Sequence, residues 1–120
     1  MRSDHDTVIA DLAAEVRAFC EARDWDQFHG PKDLAIGIAT EAAELLEVFR
    51  FATAEDEQAL ISDPERRAAI EAELADIQIF LLRFSDRFEF DLGDAVRAKL
   101  TENGRRYPVE EARGSNRKAP

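Results

Sequence analysis

An all-α fold is the class that three features of the chain predict. Apolar residues recur at three- and four-residue steps through most of its length, Gly and Pro are scarce at 5 and 4, and no stretch shows the apolar–polar alternation of a strand. In 120 residues these features describe a four-helix bundle with short connections, a single domain over residues 1–108 followed by a polar tail over residues 109–120.

The first helix is expected from Thr7 to about Arg23, where Val8, Ile9, Leu12, Val16, Phe19 and Cys20 share a face and Asp4 or Asp6 offers an N-cap. The stretch RDWDQFHGPKD that follows has no period and reads as a loop carrying two aromatic rings. A second helix, capped by Asp33 and running to about Phe51, aligns Leu34, Ile38, Leu45, Val48 and Phe49 in one stripe, with Glu41 inside it. TAEDEQALIS is a connection with a short helix. Asp63-Pro64 then supplies an N-cap and a first-turn Pro for a third long helix, which extends to about Phe88 through Ile70, Leu74, Ile77, Leu81, Phe84 and Phe88. Glu73, Asp76 and Phe80 share one flank of it. Asp91 opens a fourth long helix through Leu92, Val96 and Leu100, with Gly104 placed for a left-handed C-terminal cap. The tail VEEARGSNRKAP is expected to be mobile. Ile36 and Ile79 point away from the main stripes of their helices, which predicts a second apolar face and helix packing between subunits, as a homodimer or homotetramer.

Charge narrows the function. A formal net charge of −10 argues against a nucleic acid polymer as partner, because such binding needs a concentrated Lys/Arg surface. No apolar run approaches the roughly 20 residues of a membrane span, and the opening MRSDHDTVIADL lacks the basic and apolar regions of a signal peptide, so a cytoplasmic location is the expectation. The single Cys20 cannot form an internal disulfide and reads as a buried bystander.

The chemistry is carried by carboxylates. Residues three apart are neighbours on a helix, so EAAE (Glu41, Glu44) and ELAD (Glu73, Asp76) each present two carboxylates toward one point. If the two helices pack together, four oxygen donors meet, a set suited to Mg²⁺ or Mn²⁺. The competing reading is a solvated acidic face, since a chain with 26 acidic residues produces such spacings by chance. Position favours the metal, because Glu41 sits within an apolar stripe and Glu73 borders one, where an unpaired carboxylate is costly to desolvate. A di-iron bundle requires Glu-x-x-His on two helices, and His5 and His29 do not supply it.

The segments RDWDQFHGPKDL, EAAELLEVFRF, EAELADIQIFLL and KLTENGRRYP, in this order and spacing, resemble the MazG-like nucleotide pyrophosphohydrolases, and within them the dCTP pyrophosphatase branch, over roughly residues 19–117. The resemblance implies an all-α catalytic domain that assembles as dimers or tetramers and cleaves a nucleoside triphosphate to the monophosphate and pyrophosphate. It assigns the metal to Glu41, Glu44, Glu73 and Asp76, the base to Trp25 and Phe51, and the phosphates or sugar to Lys99, Asn103, Arg106 and Tyr107. His29 and Phe80 join the expected substrate-binding residues. The branch often carries Trp where Phe51 stands, Tyr where Phe80 stands and His near the base where Val16 stands. The resemblance to this branch makes dCTP or a modified dCTP the expected substrate, and the three departures keep dUTP or another non-standard nucleotide as the alternative. A rival from another class is a non-catalytic helical protein that uses its second apolar faces to bind a partner.

Overall fold

The computed structural model describes residues 3–120, and among them there is no strand. Six helices follow in order: α1 (Ile9–Ala22), α2 (Pro31–Phe49), α3 (Ala54–Ser62), α4 (Pro64–Arg87), α5 (Leu92–Arg106) and the single turn α6 (Val109–Ala112). A turn of 3₁₀ helix (Asp26–Phe28) interrupts the connection between α1 and α2. No helix among the described residues is long and apolar enough to cross a membrane. The chain divides into two compact units, residues 1–89 and residues 90–120.

In the first unit, α4 is the element on which the other three pack, α2 most extensively, then α1 and α3. The α2 stripe behaves as its periodicity dictates. Leu34 is fully buried, and Ile38, Glu41, Leu45, Val48 and Phe49 are all half-buried. α2 and α4 run antiparallel, because Gly37 lies against Phe80 whereas Glu41, one turn later on α2, meets Asp76 and Glu73, earlier on α4. α1 is tied to α4 by Arg17, whose Nε and Nη2 donate to the two oxygens of Asp86 at 2.8 and 2.7 Å. That fork holds the Asp86 carboxyl below the ordinary carboxylate range.

The helix ends show which local signals operate. Asp63 accepts a hydrogen bond from the Arg66 amide at 3.0 Å with Pro64 in the first turn, as its dipeptide predicts, and Asp91 caps α5 through the Asp94 amide at 2.9 Å. Asp33 does not cap α2. The helix starts at Pro31 with Gly30 as its cap residue, because the proline ring presets a helical φ and leaves Asp33 to complement the dipole in the first turn. Neither Asp4 nor Asp6 caps α1, whose cap residue is Val8 with no side-chain hydrogen bond. α1 ends with Asp24 in the left-handed region (φ 55°), the Trp25 amide reaching back to the Cys20 carbonyl at 3.0 Å and the Asp24 amide to Glu21 at 3.0 Å. This pairing satisfies two terminal carbonyls and turns the chain into the aromatic loop.

Two further expectations are corrected. Leu74 is 52% exposed rather than part of the inward face, since successive residues diverge by 100° and it is Glu73 that turns toward α2. Gly104 lies inside α5 rather than at a left-handed cap. The helix continues to Arg106 and stops at Tyr107 (φ −125°, ψ 67°), because Pro108 bars the residue before it from the helical region. Beyond Tyr107 the chain forms α6, and the Ala119 amide donates to the Tyr107 hydroxyl at 2.9 Å.

Among the described residues the fully buried apolar core comprises only Cys20, Leu34 and Leu82. Ile36 at 52% and Ile79 at 43% exposure keep their second apolar faces in solvent in the single chain.

Two stability predictions follow from close approach and backbone geometry. A methyl group at Gly37 would come within 2.7 Å of three Phe80 ring carbons. Gly37→Ala gains about 1 kcal/mol of helix propensity but loses about 1–3 kcal/mol to overpacking, so net destabilisation is expected in urea unfolding and should be relieved when Phe80 is also changed to Leu. Glu89 holds a left-handed φ of 60° without a glycine's freedom. Glu89→Gly should raise the unfolding free energy by about 0.5–1 kcal/mol, the left-handed strain outweighing glycine's entropy in the unfolded chain.

Candidate active site

The carboxylates meet where α2 crosses α4. Glu41 projects from the α2 stripe and Glu73 from the flank of α4 that faces it, both half-buried, and Asp76 stands one turn further along α4 at the exposed rim. One oxygen from each of these three lies within 4.8 Å of the others. Glu44, one turn beyond Glu41, is exposed and lies outside this triad, but it acts directly on Glu41. Its hydrogen-bonding contact is the largest influence pushing the Glu41 carboxyl up from 4.5 to about 7, ahead of burial and of the charges of Glu44 and Asp76. Glu73 is pushed up as well, first by burial and then by the Glu44 charge.

Glu41 Oε2 and Glu73 Oε2 are both shut off from solvent, and neither has a hydrogen-bond partner. Buried acceptors of this kind are costly, so the arrangement calls for a cation or a shared proton. With only carboxylate oxygens as donors, the set fits a hard divalent ion.

The aromatic loop is held at the start of α2. Trp25, 40% exposed, packs edge-on against Phe19 with ring centroids 5.6 Å apart and against His29 at 6.4 Å. His29 Nδ1 accepts from Arg83 Nε at 2.9 Å, and Arg83 Nη2 is ion-paired with Asp26. Arg83 is only 3% exposed. Burial, followed by the Arg83 charge, lowers the His29 pKa from its ordinary value.

Phe80 follows Asp76 by one turn and lies against Gly37, which places its ring beside the carboxylates. Phe51 is elsewhere. It lies beyond the C-terminal end of α2, 85% exposed, beside an open cleft of about 630 Å³ lined also by Val48, Leu60, Asp63 and Arg66. Trp25 precedes α2 and Phe51 follows it, so the full 19-residue helix stands between them. At 1.5 Å per residue that separation is about 28 Å, and one chain does not bring the two rings together.

In the second unit, Lys99 is ion-paired to Glu102 at 3.4 Å, and the Asn103 carbonyl accepts the Tyr107 amide at 2.8 Å. Arg106 and Tyr107 line a cavity of about 360 Å³ together with Arg117 and Lys118, two cations that sequence reasoning did not single out. Their signal was the run of basic residues ending an otherwise acidic chain. Arg83, Asp26 and Gly37 were also missed. A lone Arg within the apolar run IFLLRF was the available sign for the first of these.

Comparison with known proteins gives the geometry a context. The model of the MazG-like family matches residues 36–119. dCTP pyrophosphatase 1 from Bos taurus is 41% identical over 97 residues, covering 81% of this chain and 57% of the relative. Its Homo sapiens counterpart is 40% identical over 100 residues, covering 83% of this chain and 59% of the relative. The chain thus spans less than two thirds of the length of these curated relatives. The crystal structure of a pyrophosphatase from Archaeoglobus fulgidus is similar with a TM-score of 0.80 and 34% identity, over 90% of this chain and 99% of that one.

The crowded carboxyls make stability depend on pH and on cations. A carboxyl whose pKa is higher folded than unfolded binds more protons in the folded state, so its contribution to stability falls as pH rises from 4.5 through about 7. In EDTA the melting temperature should therefore drop between about pH 5 and about pH 8, and millimolar Mg²⁺ should restore most of the loss at the upper end. A melting curve at about pH 8 that ignores Mg²⁺ would count against these carboxylates as ligands.

Proposed function

The chain belongs to the MazG-like family, and on that premise we propose that it hydrolyses a nucleoside triphosphate to the monophosphate and pyrophosphate, with Mg²⁺ held by Glu41, Glu44, Glu73 and Asp76. The observation that carries this reading is the pair of solvent-excluded, unpartnered oxygens on Glu41 and Glu73 within a three-carboxylate cluster. An acidic face serving only solubility has no reason to bury two carboxylate oxygens against each other. Mn²⁺ suits the same oxygen donors.

Glu41, Glu44, Glu73 and Asp76 would hold the cation, which would supply positive charge to offset that developing on the phosphates. Glu41 and Glu73, fixed on different helices, would set where the phosphates lie against the α2–α4 crossing. Asp76 at the rim completes the three-carboxylate cluster. Glu44, exposed beside that cluster and acting on Glu41, would be a less fully engaged fourth donor, which supports giving it the proton of the water that attacks the α-phosphorus. The exposed face of Trp25 offers a platform for the base, and Phe80 offers an apolar surface next to Asp76. Lys99, Asn103, Arg106 and Tyr107 are assigned to the phosphates or sugar by their match to the family's motif alone.

The substrate is dCTP or a modified dCTP, a reading supported by the relatives named dCTP pyrophosphatase 1. The length of α2 adds a requirement. If Trp25 and Phe51 both contact one base, the second ring has to come from another copy of the chain, in the homodimer or homotetramer that the exposed Ile36 and Ile79 faces favour.

A panel of ribo- and deoxynucleoside triphosphates, including dUTP and 5-substituted dCTP, with release of pyrophosphate as readout, tests reaction and base preference together. Glu41→Gln and Asp76→Asn should each lower kcat at least about 100-fold with the helical fold intact. Near-wild-type turnover in either would overturn the ligand assignment. Mg²⁺ with a non-hydrolysable nucleotide should raise the melting temperature by mass action, whereas the same addition would leave a purely structural helical protein unmoved.

A further inference from the structure

α4 carries one charged side chain where none is needed for packing. Arg83 is 3% exposed between the buried Leu82 and half-buried Phe84, on the part of α4 that meets the connection from α1 to α2. A buried ion pair seldom adds net stability over apolar residues of the same volume, so stability is a poor explanation for this arginine. Its geometry offers a better one. Nε donates to His29 Nδ1 at 2.9 Å, and Nη2 pairs with the Asp26 carboxylate. One turn later, Arg87 Nη2 donates to the Asp26 carbonyl at 3.4 Å. Two arginines of one helix thus grip Asp26, the first residue of the 3₁₀ turn, and Arg83 also holds His29, the residue just after it; Trp25 immediately precedes the turn and is in edge contact with His29.

We propose that Arg83 is a positioning residue for the nucleobase, holding Trp25 in its stacking position through Asp26 and fixing His29 as the tautomer that carries its proton on Nε2. This inference rests on the nucleotide-hydrolase reading and names a residue that reading does not use. A guanidinium N–H has no lone pair to offer, so the Nδ1 it meets must be the acceptor and the neutral imidazole proton must sit on Nε2. His29 is then a hydrogen-bond donor toward anything that approaches its other nitrogen. Protonating the ring would put an N–H against the Arg83 N–H and break the hold. The charged groups around the imidazole are Arg83 and Arg87 from α4, Asp26 from the loop and Asp33 from α2, and burial followed by the Arg83 charge lowers its pKa.

The test uses the full chain and an unusual convenience, that Trp25 is its only tryptophan. Arg83→Met keeps the side-chain volume and leaves Asp26, already 41% exposed, free to hydrate, so the variant should fold. In the ligand-free protein, Trp25 emission should shift to the red and acrylamide quenching should rise at least about two-fold relative to wild type. The His29 imidazole, followed by NMR in a His5→Gln background, should titrate at higher pH once Asp26 is its remaining charged neighbour from the pair. With the preferred nucleotide and Mg²⁺, KM should rise about tenfold while kcat stays within about two-fold, the signature of lost base binding with phosphate chemistry intact. Arg83→Lys should recover part of the KM change by keeping the charge, but not the two-pronged geometry. If Arg83→Met does not fold, Asp26→Asn decides the matter by the same emission and KM measurements. Wild-type emission, quenching and His29 titration in a folded variant would overturn the proposal, as would a loss confined to kcat. Should the wild-type protein cleave no nucleotide, the hydrolase reading fails, and the base-positioning role fails with it. The ligand-free measurements would still report whether Arg83 holds the loop.

Discussion

The arrangement depends on repulsion between carboxylates that the α2–α4 interface forces together. Glu41 and Glu73 come from opposite helices, each with one oxygen sealed from water, and Asp76 and Glu44 add charge from either side. Nothing local to either helix favours this. α2 packs on α4 with Leu34 buried and Ile38, Leu45, Ile77, Phe80, Leu81 and Phe84 half-buried, and the acidic cluster is carried in by that packing. Gly37 allows the approach, because a Cβ there would meet the Phe80 ring. Carboxylates held this close raise one another's pKa, a repulsion that a bound cation would relieve.

A second consequence concerns how little the single chain buries. With a fully buried apolar core of Cys20, Leu34 and Leu82 among the described residues, and with Ile36, Leu46, Leu74 and Ile79 in solvent, the first unit leaves much apolar side chain uncovered. Helices apolar on two sides are expected where subunits pack together. The same assembly would answer the separation of Trp25 from Phe51 by the length of α2.

The carboxylate cluster and the aromatic loop are built on different principles. At the carboxylate cluster the helices are rigid and the side chains are in conflict. At the aromatic loop, the backbone is irregular and the side chains agree: Asp24 turns the chain in the left-handed region, and Arg83, Asp26 and His29 then lock the result. A short loop bearing an exposed tryptophan would otherwise be free to move. The buried guanidinium supplies the order that the backbone lacks.

By itself the sequence determined the helical class, the extents of the long helices to within a few residues, and the placement of Glu41 within an apolar stripe, because 3.6-residue periodicity encodes which side of a helix turns inward. The motif order also pointed to the family that the comparisons establish. Tertiary structure alone decided the antiparallel register that sets Glu41 against Glu73 and Asp76 while leaving Glu44 at the side, and with it the contact of Gly37 with Phe80. It also decided that Arg83 reaches residues 54 and 57 positions away, and that α2 holds Trp25 and Phe51 apart. Periodicity fixes the direction of a side chain about its own axis. Which residues it meets depends on the relative shift of two helices, and that is set only when their surfaces pack.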